Sequence, residues 1–212
     1  IAEGFKWAEG PVWVPEHNML LFSDPPANVI YKWSREEGLS LYLEPSGYTG
    51  PPIQNKEPGS NGLTLDSLGR LVMCQHGNRQ IARMDAPMDN RQAEFVTLAD
   101  QFENKKLNSP NDLVFNSRGD LYFTDPPYGL PSQSDEDPAK ELDFQGVFKL
   151  SAGGELALTS DKMSRPNGLA LSPDEKTLYV ANSDPSSPIW MAFELDDDGL
   201  PVSERVFFDA SE

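Results

Sequence analysis

The sequence predicts an all-β domain of repeated four-stranded antiparallel sheets closing round a channel, a β-propeller, and three observations carry the prediction. Similar segments recur about every fifty residues: AEGPVWVPEHNMLLFSDPP from Ala8, SNGLTLDSLGRLVMCQHGN from Ser60, PNDLVFNSRGDLYFTDPPYG from Pro110 and PNGLALSPDEKTLYVANSDP from Pro166. Within each unit an alternating apolar run meets a turn rich in Asn, Asp, Gly or Pro and continues into a second β-rich run. No segment has the period of a long amphipathic helix.

Each unit supplies four strands in order. Leu113 and Phe115 mark a first strand, and LYFT past the turn a second; Leu169, Leu171 and LYVA repeat the pattern. Third strands are expected at VIYKW, QIARMD, GVFKLS and IWMAFEL, and fourth strands at LSLYLE, AEFVTLA, LALTS and RVFFDA. A β-sandwich would explain the turns but gives no reason for a near-constant period.

Composition bounds the partners. Hydrophobic residues at 38% and charged residues at 24% are those of a chain that folds, not of a disordered one. Thirty-four acidic residues against 17 basic ones give a formal charge of -17, which repels nucleic acid and anionic lipid and suits a cation. No apolar run reaches the length of a membrane span, and IAEGFKWAEGP lacks the basic and apolar regions of a signal peptide. A single Cys74 gives no oxidising signature, so a soluble protein of either cytoplasm or periplasm is expected.

Four anchors, Glu9, Asn61, Asn111 and Asn167, recur at what reads as one position of the repeat, and a propeller brings such positions together at the mouth of its channel. One carboxylate with several carboxamides is a hard-oxygen donor set of the kind Ca²⁺ accepts. Zinc would call for His or Cys, and only His17 and His76 are present, without paired spacing. Asn ahead of Gly also forms turns, which is the alternative reading of any one anchor.

AEGPVW, SPNDLVF, RPNGLALS with SPDEKTLYVANS, QHGNR and TDPPYGL together resemble the gluconolactonase and senescence-marker-protein-30 family, in particular its bacterial gluconolactonase-like members. The resemblance runs through most of the chain and is looser near 40 to 58, 86 to 106 and 131 to 145. It implies a six-bladed propeller, one divalent cation, commonly Ca²⁺, in the channel, and hydrolysis of sugar lactones or related esters. It makes Glu9, Asn111 and Asn167 metal ligands, while Asn61 matches a position that lines the cavity. The family's acidic ligand, its usual general base, belongs to a later blade. Residues 1–212 are therefore read as one propeller domain of about four blades, incomplete at the C-terminal end, with the base expected beyond Glu212.

Other residues complete the expected site. Asn61, His76, Asp125 and Tyr128 are expected to contact substrate at the mouth, with the loop from Asp125 to about Glu141 long and polar enough for a lid. Asp24 reads as an Asx turn ahead of proline, and Asp184 as a turn or mouth group. Cys74 reads as packing. Asp196, Asp197, Asp198 and Gly199 lack EF-hand spacing and read as a solvated hairpin tip. The function expected is a metal-dependent lactonase acting on a small sugar lactone. A calcium-dependent esterase or phosphotriesterase on the same site, or a non-enzymatic ligand-binding propeller, are the alternatives.

Overall fold

The computed structural model describes residues 2–51, 53 and 55–211. Four sheets, each of four antiparallel strands in sequence order, make up the fold. The first contains β1 (Glu9–Val14), β2 (Met19–Asp24), β3 (Val29–Ser34) and β4 (Gly38–Leu43), and the second β5 (Ser60–Leu65), β6 (Leu71–Gln75), β7 (Gln80–Met84) and β8 (Phe95–Ala99). A short hairpin, β9 (Gln101–Phe102) and β10 (Lys105–Lys106), leads to the third sheet, β11 (Leu113–Phe115), β12 (Leu121–Asp125), β13 (Gly146–Leu150) and β14 (Leu156–Ser160). The fourth is β15 (Pro166–Leu171), β16 (Thr177–Asn182), β17 (Ile189–Leu195) and β18 (Pro201–Asp209). The third and fourth strands lie where the sequence placed them.

These sheets stack face to face as blades of a β-propeller, with the first strands β1, β5, β11 and β15 adjacent in turn. Side chains alternate across each strand, so β6 sends Leu71 and Met73 into a core shared with the first blade, and Val72 and Cys74 into one shared with the third. Burial on both faces explains why LVMC reads as an unbroken apolar run. Cys74 is fully buried in that second core, as expected of a packing residue, and burial pushes its thiol pKa well up. A third core, with Tyr122, Val147, Leu178, Val180 and Phe193, joins the last two blades.

At one end the hairpin tips are closed by side-chain turns. Asp66 accepts the N–H groups of Leu68 and Arg70, and Asn116 those of Arg118 and Asp120. The expected acidic tip at Asp196–Gly199 has a structural task as well. Tyr122 donates its hydroxyl to the Gly199 carbonyl at 2.7 Å, and Lys149 and Arg118 donate to Asp198 and Asp197 carbonyls, clasping the fourth blade to the third. Among the described residues no helix is long and apolar enough to cross a membrane.

Candidate functional site

The other end of the inner strands gathers the anchors. In blades one, two and four the ladder slips by one residue at the same place: Glu9 pairs with Ser23 and then Val12 with Leu21, Ser60 with Gln75 and then Leu63 with Met73, Pro166 with Asn182 and then Leu169 with Val180. Such a bulge turns a side chain out of the pleat, and it recurs here where the inner strand begins. It also corrects the register read from the sequence. Glu9 holds the position of Ser60 and Pro166, one residue ahead of Asn61 and Asn167, and Gly10 stands where the later blades carry Asn.

Backbone contact then passes from blade to blade. Gly10 has φ +53°, and a Cβ there would lie 2.2 Å from the Asn61 carbonyl oxygen. Gly62 N–H donates to the Asn111 carbonyl at 2.7 Å. Thr124 donates its hydroxyl to the Asn167 carbonyl at 2.8 Å, and Asp112 accepts the Leu169 N–H at 3.1 Å. The chain segments of all four anchors thus pack edge to edge at one end of the inner strands.

Their side chains differ in what they touch. Asn61 and Asn111 are buried residues, 5% and 4% exposed, yet among the described residues the Asn61 carboxamide and the Asn111 Oδ1 have no hydrogen-bond partner. Neither oxygen is among the fully enclosed unpaired atoms, so the little surface these two residues expose includes their carboxamides, open to water or an ion. Asn111 Nδ2 is 3.4 Å from His76 Nε2. The Asn167 Nδ2 reaches Ser183 Oγ at 3.5 Å, leaving its oxygen free among the described residues. Glu9 Oε1 accepts the indole N–H of the exposed Trp7 at 2.7 Å. The donor set, one carboxylate and neutral amide oxygens, fits a hard divalent cation such as Ca²⁺. Among the described residues no three His, Cys, Asp or Glu side chains cluster, which the softer, nitrogen-rich sites of zinc would need.

Two of the expected substrate contacts have other tasks. Asp125 is wholly buried, with one carboxylate oxygen accepting the Asn108 N–H and the other the Ser109 N–H, both at 2.7 Å. It straps down the segment that enters the third blade, and no surface is left to it for substrate. Burial pushes its pKa up to about 7, against those two N–H bonds and the charges of Arg79 and Lys140. Asp24 straps Lys6 and Trp7 in the same way. The His76 ring is likewise 0% exposed and presents no surface to substrate. Burial pulls its pKa down to about 4, and the nearby Glu57 backbone opposes this only in part, since Nδ1 has no partner at hydrogen-bond distance among the described residues.

Tyr128 stays at the surface of the site. Its hydroxyl shares a 2.7 Å hydrogen bond with Ser183 Oγ, and the Arg165 guanidinium lies 6.0 Å from its ring centre. The loop that follows is held in place: Arg79 donates to the Leu107, Asn108 and Ala139 carbonyls, Asn55 to the Gly129 carbonyl, and Ser132 donates to Asp137. Asp184 is tied by Ser164 and Ser186, whose hydroxyls hold its pKa down at about 2.

Sequence reading passed over two carboxylates at this end. Asp112 stands where its neighbours in the repeat carry Gly62 and Gly168, a departure visible in PND against NG, and burial raises its pKa with the Glu9 charge adding to the effect. Glu57 lies 3.6 Å from His76 Nδ1; burial raises its pKa, the Gln133 side chain opposes, and Glu9 again adds. Nothing in its local sequence marks Glu57, because a loop brings it there.

Comparison with known proteins gives the family and the fold. Residues 7–212 match the SMP-30/Gluconolactonase/LRE-like region. The chain belongs to this family. A gluconolactonase of Zymomonas mobilis is 49% identical over 208 residues, which are 97% of this chain and 57% of that protein. A gluconolactonase structure from Xanthomonas campestris superposes with a TM-score of 0.80 at 35% identity, covering 96% of this chain and 63% of that one. The calcium-binding protein regucalcin of Agrobacterium tumefaciens shares the fold, with a TM-score of 0.70 at 16% identity over 98% of this chain and 61% of that one. This member of the SMP-30/gluconolactonase/LRE-like family thus spans a little over half the length of the Zymomonas mobilis relative.

Proposed function

We propose that this chain forms the cation-holding part of a sugar-lactone hydrolase. What supports the reading is that the backbone segments carrying Glu9, Asn61, Asn111 and Asn167 pack against one another from blade to blade, with the amide oxygens left unpartnered among the described residues. A propeller with neither ion nor ligand to hold has no use for such oxygens. The 49% identity to a gluconolactonase supports the substrate class.

Glu9, Asn111 and Asn167 would hold the ion, most favourably Ca²⁺. When bound, it supplies positive charge that polarises a lactone carbonyl and stabilises developing negative charge on its oxygen. Glu9 gives the site its anionic ligand. Asn61 offers a carboxamide, and Tyr128 with Ser183 a hydroxyl pair, to the ring hydroxyls of a sugar lactone. Asp125 and the Gly62 contact hold these groups at fixed spacing. The carboxylate that accepts the water proton comes, in this reading, from outside residues 1–212, in a further blade of a single propeller domain.

The test is acid release from a gluconolactone by the full-length protein, measured against the spontaneous rate with Ca²⁺ present and after chelation. Calcium-dependent turnover that Glu9→Gln reduces at least about tenfold is expected, because the carboxylate is lost. Turnover unaffected by chelation and by Glu9→Gln would sink the proposal, as would hydrolysis confined to aryl esters.

A further inference from the structure

We infer that His76 is a positioning residue that sets which end of the Asn111 carboxamide faces the channel. The inference deepens the cation-site reading above and rests on it.

A carboxamide has two ends that differ only in chemistry, and rotation by half a turn exchanges them. Only one orientation points Oδ1 of Asn111 into the channel. In the other, an NH₂ donor would face the cation and could not serve as a ligand. Something must therefore choose between the two, and the single polar side-chain atom at contact distance from the amide nitrogen among the described residues is His76 Nε2, at 3.4 Å. An amide nitrogen can only donate. Nε2 is then the acceptor, and the ring proton is carried on Nδ1, which lies 3.6 Å from Glu57 Oε2. A flipped Asn111 would set its oxygen against the Nε2 lone pair, a repulsive contact.

The ring is built to hold that orientation. It is 0% exposed, and the His76 backbone is bonded at both ends, its N–H to the Gly59 carbonyl at 3.1 Å and its carbonyl to the Arg79 N–H at 3.1 Å. Gly129 presses on its side: a Cβ there would lie 2.5 Å from the His76 Cβ and 2.7 Å from its Cγ. Gly129 is itself fixed, its N–H donating to Ser109 Oγ at 2.8 Å and its carbonyl accepting from Asn55 at 2.6 Å. The ring is fully enclosed and its one side-chain contact at hydrogen-bond distance among the described residues is the Asn111 amide, so orienting that ligand is the polar task its place allows.

Three measurements on the full-length protein test this. Long-range ¹H–¹⁵N NMR should show the Nδ1–H tautomer of His76; the Nε2–H tautomer overturns the inference whatever the variants do. In calorimetric Ca²⁺ titrations, His76→Met, similar in length without an acceptor, should weaken binding about tenfold or more, the range for residues that orient metal ligands. His76→Gln, which can place Oε1 near the Nε2 position, should stay within about threefold of the wild type. Equal weakening by both variants, or no weakening by a folded His76→Met, overturns the inference. If Glu9→Gln abolishes binding and His76→Met does not, the positioning role alone fails; a wild-type protein that binds no Ca²⁺ overturns the cation site and this inference with it.

Discussion

Gly62 donates its N–H to the carbonyl of Asn111 at 2.7 Å, so the inner strand of one blade directly fixes the backbone of a ligand candidate on the next. The contact is possible because residue 62 lacks a side chain: a Cβ there would lie 2.7 Å from the same oxygen and 2.9 Å from the Asp112 Cα. Distances that short require backbone to move.

Gly62→Ala is therefore expected to lower stability by about 1–3 kcal/mol, as overpacking does, and to weaken cation binding by displacing Asn111. Gly168→Ala is the matched control. It lies in the same Asn-Gly motif, but its nearest atom is the Asp112 Oδ2 at 3.8 Å, an ordinary contact. Denaturant melts and Ca²⁺ titrations of the two variants should separate; identical behaviour would show that the contact constrains nothing.

The Trp7 indole N–H on Glu9 Oε1 provides an optical report of the site. A cation drawn to Glu9 competes for that oxygen, and Trp7 is 60% exposed, free to respond. Tryptophan fluorescence should change on Ca²⁺ addition, and Trp7→Phe should abolish most of the change while leaving calorimetric affinity within about threefold, one exposed hydrogen bond being worth little. A full signal in Trp7→Phe would assign the report to another tryptophan.

Asp125 and His76 give the fold two opposed pH dependences. Asp125 has a folded pKa of about 7 against an ordinary 3.8, so between these values the folded state holds more protons and stability falls as pH rises. His76 has a folded pKa of about 4 against 6.5, so there the unfolded state holds more protons and stability rises with pH. From pH 4 to 6.5 the two offset each other. Relative to the wild type, Asp125→Asn should make stability rise more steeply over this window, and His76→Gln should make it fall. Asp125→Asn should also cost about 1–3 kcal/mol at neutral pH, since its NH₂ would face a backbone N–H donor. Urea melts at the two pH limits decide it; slopes parallel to the wild type would exclude both assignments.

The blades were legible in the sequence because each strand carries its period and each turn its Asn, Asp, Gly or Pro. The anchors were legible as a repeat, but their register was not: the bulge that offsets Glu9 from Asn61 and Asn167 is a property of strand pairing. Asp125 and His76 were recognised as chemistry yet expected to meet substrate at the channel mouth, because a single sequence does not reveal that the 108–109 segment and Gly129 close over them. Glu57 arrives by a loop whose course depends on bonds to Gln133. What long-range packing decides, local pattern could not show.

Tyr179 and Ala181 hold the ladder positions of Val72 and Cys74, which the third blade covers completely; in the fourth blade the same face carries Trp190, Phe207 and Phe208 at 47%, 49% and 52% exposure. Tyr179 packs on Phe207 at 4.9 Å and Trp190 on Phe208 at 5.4 Å between ring centres, so the aromatic rings form a continuous apolar surface. A patch of this kind is built to be covered. At about 25 cal/mol per Å², each 100 Å² or so of apolar surface removed from water contributes about 2.5 kcal/mol, a sizeable share of the 5–15 kcal/mol or so of net stability a domain has. The Zymomonas mobilis relative has further residues beyond the 57% that this chain matches, and additional strands laid on this face would supply the cover. Residues 1–212 expressed alone should therefore bind a hydrophobic dye and self-associate at micromolar concentration in light scattering, and should turn over no lactone. Replacing Trp190 and Phe207 by Ser should suppress the association without restoring activity. A monodisperse, dye-silent and catalytically active protein of these 212 residues would show that the face needs no cover and that the proton acceptor lies within them.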